Sequence, residues 1–176
     1  ALADLDQDGD LDMVTGNLGL NSNYRASADY PIQCYASDFD ANGSIDPIIT
    51  YFEGTTCYPM IQRDVMIKQL PILKKKYIRA HDYAASSIED IFTAKQLKSA
   101  LVLSCAILET GWWENEKGHF TFHVLPVQAQ ISPVNSILVY DFDQDGMQDI
   151  FVAGNKYNME VETGRLDAGT GAYFKG

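Results

Sequence analysis

Three short stretches of the chain repeat one arrangement of acids: "DLDQDGDLD" from Asp4, "DFDANGSID" from Asp38 and "DFDQDGMQD" from Asp141. Each reads Asp-x-Asp-x-Asp/Asn-Gly-x-x-Asp. The first uses Asp4, Asp6, Asp8 and Asp12, the second Asp38, Asp40, Asn42 and Asp46, the third Asp141, Asp143, Asp145 and Asp149. Like charges this close repel. Such a loop is either a solvated acidic turn or is built around a cation. Calcium is a hard ion that takes about six to eight oxygens in a flexible shell. Side chains at positions 1, 3 and 5 of a tight loop converge on one point. Glycine at position 6 (Gly9, Gly43, Gly146) permits the sharp turn. Position 7 (Asp10, Ser44, Met147) offers a backbone carbonyl, and the acid at position 9 closes the shell. The alternative is a set of Asp/Asn/Gly turns without metal. Recurrence and charge favour the metal, because half of the chain's acids lie in these loops. Three divalent ions would offset about half of the net charge. The second loop is the weakest of the three, because Asn42 supplies a neutral oxygen.

The elements around the loops decide which kind of calcium loop this is. An EF-hand closes with Glu at position 12 and leads into a helix. Here position 12 is Thr15, Ile49 or Val152. The segments that follow, "DMVTGN", "DPIITYF" and "DIFVAGN", are β-branched and aromatic, and Pro47 opposes a helix. The third loop is also preceded by the strand-like "SILVY". The loops therefore join strand to strand, and the first and third share a "GN" tail.

Between the second and third loops the pattern changes. "QRDVMIKQLPILKKKY" has apolar residues at broadly helical spacing, with Pro71 at a kink or boundary. Ser86-x-x-Glu89 and Thr93-x-x-Gln96 are capping-box patterns. Two or three helices are expected here. Strand character resumes near Leu101, and "GWWENEKGHF" has the turn content of a hairpin. The expected organisation is residues 1–61 with the first two loops, a helical insertion at about 62–100, and residues 101–176 with the third loop.

Composition narrows the function classes. The net charge is −11, from 13 Lys+Arg against 24 Asp+Glu. Nucleic-acid binding needs a basic surface, so no nucleic-acid partner is expected. Lys74 to Lys76 form the one basic run, read as the solvated face or end of a helix. The longest apolar stretch, "ALVLSCAIL", is too short for a membrane span. No signal peptide is visible, and the opening "ALADLDQDGD" looks cut from something longer. Three cysteines, Cys34, Cys57 and Cys105, leave one disulfide plus a thiol, or three buried thiols, both open.

The loops, their strand context and the "GN" tails resemble FG-GAP/VCBS repeats, the calcium-loop blades of integrin-like β-propellers. The likeness extends to a bacterial VCBS-repeat group of secreted or surface-anchored proteins. There, segments like "DFDANGSIDPIITYFEGTTCYPMIQRDVMIKQLPILKKKY" carry the helical insertion, and segments like "LPVQAQISPVNSILVYDFDQDGMQDIFVAGN" and "ETGRLDAGTGAYFKG" follow. The resemblance implies a mainly β fold made of propeller blades with structural calcium. This chain would hold roughly two to three blades, a partial propeller. The remaining blades, or copies of the chain, would complete it. The implied function is a calcium-stabilised, non-catalytic scaffold for binding or adhesion. It would lie outside the cytoplasm (extracellular, on the outer surface or in the periplasm), with a surface protein or glycan as partner. The alternatives are a segment of a propeller enzyme acting on polysaccharide, or a purely architectural subunit.

Other residues carry less. His119 and His123 would share one strand face, about 13 Å apart by strand rise, too far for one metal, and read as exposed hairpin histidines. Trp112 and Trp113 read as a hairpin packing pair, with a sugar or peptide platform as the alternative. No nucleophile signature is present. For the enzyme alternative the candidate carboxylates outside the loops are Glu109, Glu114, Glu116, Glu160 and Glu162, and nothing in the sequence brings two of them together. "TGRLDAG", with Arg165 and Asp167, resembles the family's pattern, and the two are expected to form an internal ion pair that fixes a loop, with partner contact as the alternative.

Overall fold

The computed structural model describes residues 1–159 and 163–176. The strands among them are β1 (Leu2–Ala3), β2 (Asp12–Thr15), β3 (Ile32–Ser37), β4 (Asp46–Glu53), β5 (Thr56–Pro59), β6 (Leu101–Cys105), β7 (Gly111–Glu116), β8 (His119–Val124), β9 (Ser136–Tyr140), β10 (Asp149–Ala153) and β11 (Ala172–Phe174). The helices are α1 (Arg63–Gln69), α2 (Ala80–Ala84), α3 (Ile88–Ile91) and α4 (Ala94–Ser99). The fold is mainly β, and every strand pairing is antiparallel. The chain divides into two compact units, one of Ala1–Asn23 with Leu108–Gly176, the other Tyr24–Ile107. The first and third acidic loops, far apart in sequence, thus belong to one unit.

That first unit holds two sheets, ordered β1-β2-β7-β8 and β11-β10-β9. The hairpin expected at "GWWENEKGHF" is β7–β8. Its central residues Lys117 and Gly118 both lie at positive φ, 54° and 92°, the backbone that matches the twist of paired strands. In β10 the period of two is plain: Ile150 and Val152 are buried while Phe151 faces water. Val14, Leu125 and Ala129 join them in a small core, against which Trp112 and Phe174 pack.

Polar contacts do much of the remaining work. The buried Gln130 side chain accepts from Thr110 N (2.9 Å) and donates to Thr110 O (2.8 Å) and Leu125 O (2.9 Å). The "GN" tails follow from close backbone approach. A Cβ on Gly16 would lie 2.4 Å from Val134 O, and one on Gly154 2.2 Å from Pro133 O, so only glycine fits. Asn155 then ties its neighbours, accepting from Ser132 Oγ and Gly169 N, both at 2.8 Å.

The second unit is one sheet, ordered β5-β4-β3-β6, with helices over it. Strand β4 alternates: Asp46, Ile48 and Thr50 are buried, Pro47 and Ile49 exposed. Ile48 meets Met66, Leu70, Tyr83, Ile88 and Phe92 in the core. The helices fall in the stretch where they were expected, but they are shorter and more numerous. Pro71 explains part of this: α1 ends at Gln69 and a 3-10 turn, Pro71–Lys75, follows. The capping box expected at Ser86 and Glu89 is displaced by one residue. Ser86 Oγ donates back to Asp82 O (2.8 Å), which leaves Ser87 as the cap. Ser87 Oγ accepts from Asp90 N (3.2 Å), and Asp90 Oδ2 accepts from Ser87 N (2.9 Å). The Thr93–Gln96 box forms as read.

Lys74 and Lys75 are solvated, and Lys76 donates to Asp90 O. All three cysteines are free; Cys57 is buried and Cys105 exposed, so neither open alternative describes them. Strand β6 is a sheet edge with every residue exposed, Leu101 and Leu103 among them. No helix among the described residues is long and apolar enough to cross a membrane.

Candidate metal centres

Each acidic loop leaves one strand and enters its antiparallel neighbour: β1 to β2, β3 to β4, β9 to β10. The three share one backbone. Position 6 is left-handed in all, with Gly9, Gly43 and Gly146 at φ 94°, 90° and 92°. A Cβ there would meet no atom within 4 Å, so the backbone conformation, and not space, demands glycine. Position 4 is left-handed too, in Gln7, Ala41 and Gln144 (φ 65°, 59°, 64°). Sequence reasoning missed this, because none of these residue types advertises a positive φ.

The side chains are held by the loop's own amides. The position-1 carboxylate accepts from the glycine: Gly9 N to Asp4 Oδ2 (3.1 Å), Gly43 N to Asp38 Oδ2 (2.8 Å), Gly146 N to Asp141 Oδ2 (2.9 Å). Position 3 accepts from position 5: Asp8 N to Asp6, Asn42 N to Asp40, Asp145 N to Asp143. Position 5 accepts from position 7, through the N–H groups of Asp10, Ser44 and Met147. These bonds gather one carboxylate oxygen each from Asp4, Asp6 and Asp8, from Asp38, Asp40 and Asp46, and from Asp141, Asp143 and Asp149, within 4.8 Å of one another in each set.

Among the described residues the closing aspartates are the most buried acids, with Asp12 and Asp149 at 0% exposure and Asp46 at 4%. Each fastens the start of its loop, accepting from the N–H of position 2: Leu5 (2.9 Å), Phe39 (3.1 Å), Phe142 (2.9 Å). Asp12 Oδ1 also accepts from Asn115 N (2.9 Å), and Asp149 Oδ1 from Gly176 N (3.0 Å). The hydrogen bonds from Gly176 and Phe142 outweigh burial and lower the Asp149 pKa below the ordinary value. Asp10 turns away from its loop and accepts from Lys117 N (2.9 Å).

The loops differ in what balances their charge. In the first, Asp4 Oδ1 is buried and has no hydrogen-bond partner. Its counterparts in the other two do: Asp38 Oδ1 accepts from Asn42 N, and Asp141 Oδ1 from Asp145 N. Asp6 receives a hydrogen bond from Asp8 N, but burial and the charges of Asp8, Asp12 and Glu114 prevail and raise its pKa. In the third loop the protein supplies a cation of its own. Lys175 Nζ lies 2.6 Å from Asp143 Oδ2 and 3.0 Å from Asp145 Oδ2. The Met147 N–H and this ammonium lower the Asp145 pKa, and the two carboxylates raise that of Lys175. Only the tertiary fold reveals this partner. A cross-link joins the two loops of this unit, Gln7 Nε2 donating to Gly146 O (2.8 Å).

The donor set suits a hard cation: carboxylate oxygens, one amide oxygen in Asn42, and no nitrogen or sulfur. The orphaned Asp4 Oδ1 is an independent sign of fit. A buried carboxylate oxygen without a donor is costly, and a calcium ion would satisfy it.

The remaining candidates resolve as follows. Trp112 and Trp113 are hairpin packing residues, against His123 and Phe122 (ring centroids 4.7 Å apart in both pairs). His119 is exposed; His123 is half-buried, stacked on Trp112 with its Nε2 2.7 Å from Glu114 Oε2. Glu109 Oε2 accepts from Leu108 N, and Glu116 is exposed. Glu160 and Glu162 lie outside the described residues. Arg165 and Asp167 do not pair with each other; they flank the buried Leu166, which bridges Lys156 through backbone bonds.

Comparison with protein-family models, curated proteins and solved structures finds no match for this chain.

Proposed function

We propose that the chain is a calcium-stabilised segment of a β-propeller that serves as a non-catalytic scaffold for binding or adhesion outside the cytoplasm. The observation that carries this reading is the repetition of one loop geometry three times, each between antiparallel strands and each with three converging carboxylates. Asp4, Asp6 and Asp8, then Asp38, Asp40 and Asp46, then Asp141, Asp143 and Asp149, would hold the ions. The seventh-position carbonyls and the remaining acids and Asn42 complete the donors available. Bound calcium would supply charge neutralisation. The protein's own residues do the rest: buried closing aspartates fix the loop start, and left-handed turns aim the carboxylates. An ion that binds the folded loop and hardly the unfolded chain stabilises the fold.

The FG-GAP/VCBS-like pattern supports the propeller part, as do sheets of three and four antiparallel strands. The exposed apolar edge β6 supports completion by further blades or by another copy. The non-catalytic part rests on the sequence: no nucleophile signature is present, and the tight acid clusters are already used as metal ligands in this reading. The proposed partner is a surface protein or a glycan.

Thermal unfolding with calcium against chelator tests the reading, on the native chain and on Asp12→Ala, Asp46→Ala and Asp149→Ala. At free calcium about a hundred times the dissociation constant, one site contributes about 2.7 kcal/mol. The native chain should therefore melt several degrees higher with calcium, and each variant should lose part of that gain. A melting temperature indifferent to calcium ends the metal reading.

A further inference from the structure

We propose that Lys175 is a tethered competitor for the divalent cation at the third loop, so that this loop takes calcium more weakly than the first. The inference rests on the calcium reading and adds a rank order among the sites. Lys175 Nζ is shared by Asp143 Oδ2 and Asp145 Oδ2, and Asp143 belongs to the set of converging ligands. An ion entering there must either displace the ammonium or accept a positive neighbour a few ångströms away. Both weaken binding.

The tether is what makes the competition strong. Strand β11, Ala172–Phe174, pairs with β10, and Gly176 N donates to the closing Asp149, so the backbone on both sides of Lys175 is fixed at the loop. A group held this close acts at high effective concentration. The side chain itself is about half exposed (56%), so it can leave the carboxylates for water without unpacking a core. The first loop has no such partner. Among the described residues no cationic side chain pairs with Asp4, Asp6 or Asp8, and Asp4 Oδ1 is buried without any donor. Two loops of nearly identical backbone therefore differ in the cost of admitting an ion.

The position-6 glycines give a reporter for each loop, since each N–H is bonded to a position-1 carboxylate. The experiment is a calcium titration of the whole chain followed by the amide resonances of Gly9, Gly43 and Gly146. It is run on the native chain, on Lys175→Met and on Lys175→Arg, which keeps the charge. In the native chain the Gly146 midpoint should lie at higher calcium than that of Gly9. In Lys175→Met it should fall on the order of tenfold, the scale of one unit charge beside a divalent ion at a solvated surface. The Gly9 and Gly43 midpoints should stay, and Lys175→Arg should keep the native order. A Gly146 midpoint unmoved by Lys175→Met, or already below that of Gly9, overturns the role of Lys175 alone. Three glycines all indifferent to calcium overturn the calcium reading, and the rank order with it.

Discussion

The two units solve the same problem, fixing short antiparallel strands, with different materials. The Tyr24–Ile107 unit buries a large apolar cluster between one sheet and its helices, with Ile48, Met66, Leu70 and Ile88 all at 0% exposure. The other unit has a thinner core of Val14, Leu125, Ala129, Ile150 and Val152. It compensates with buried polar groups: Asp12, Thr110, Gln130, Ser132 and Asp149. Two of these five are closing aspartates of acidic loops. The Tyr24–Ile107 unit has one such aspartate, Asp46, beside its larger apolar cluster. In the unit with the thinner core, two sheets of four and three strands share that core, and the satisfied polar groups around it, with metal in our reading, add to what the core supplies.

The largest expected effect tests the apolar half. Met66→Ala removes a fully buried side chain and should cost about 2–5 kcal/mol. Native-state hydrogen exchange, read amide by amide, should lose protection first in β3 and β4 and less in β2 and β10. Equal losses in both sets would break the comparison, since they would mean that the units unfold as one.

A smaller effect tests the polar half. Gln130→Ala strands Thr110 N and Leu125 O, and takes one of two donors from Thr110 O, which keeps the Leu125 N–H. Leaving buried groups unpaired costs about 1–3 kcal/mol. Protection should fall in β2, β7 and β10 and hold in β3 and β4. A Gln130→Ala variant as stable as the native chain would mean that water replaces the amide and that the polar network contributes little.

The same contrast explains what the sequence reveals. The acidic loops are legible because their requirements are local: a left-handed glycine, acids at alternate positions, and a β-branched strand beyond. The β7–β8 hairpin and the Thr93–Gln96 cap are legible for the same reason. What escapes depends on tertiary partners. Lys175 lies far along the chain from the acids it bridges, and no spacing announces it. The division into units escapes because the first loop pairs in space with residues beyond 107, while the residues between form their own core. Near misses are local competitions: Ser86 and Ser87 both qualify as a cap, and the choice falls to the one not drawn back to Asp82. His123 reads as exposed only until Trp112 is placed opposite it across the hairpin.

The smallest expected effect asks whether the helical unit owes anything to charge. Asp90 closes the Ser87 capping box, and hydrogen bonds from the Ser87 side chain and backbone are the main reason its pKa is lowered. An acid whose folded pKa lies below its unfolded value, near 3.9, stabilises the fold fully above that value. The contribution fades as pH falls through the folded pKa. The start of α3 should therefore loosen only once pH falls below the ordinary aspartate value, while the apolar cluster beneath it persists. The Ser87 amide resonance, followed from neutral pH downward, should move with a midpoint below the ordinary aspartate value, and Asp90→Asn should abolish the transition. A midpoint at or above the ordinary value would mean that the box adds no charge-dependent stability. The helical unit would then rest on apolar burial alone, which would make the contrast between the two units sharper still.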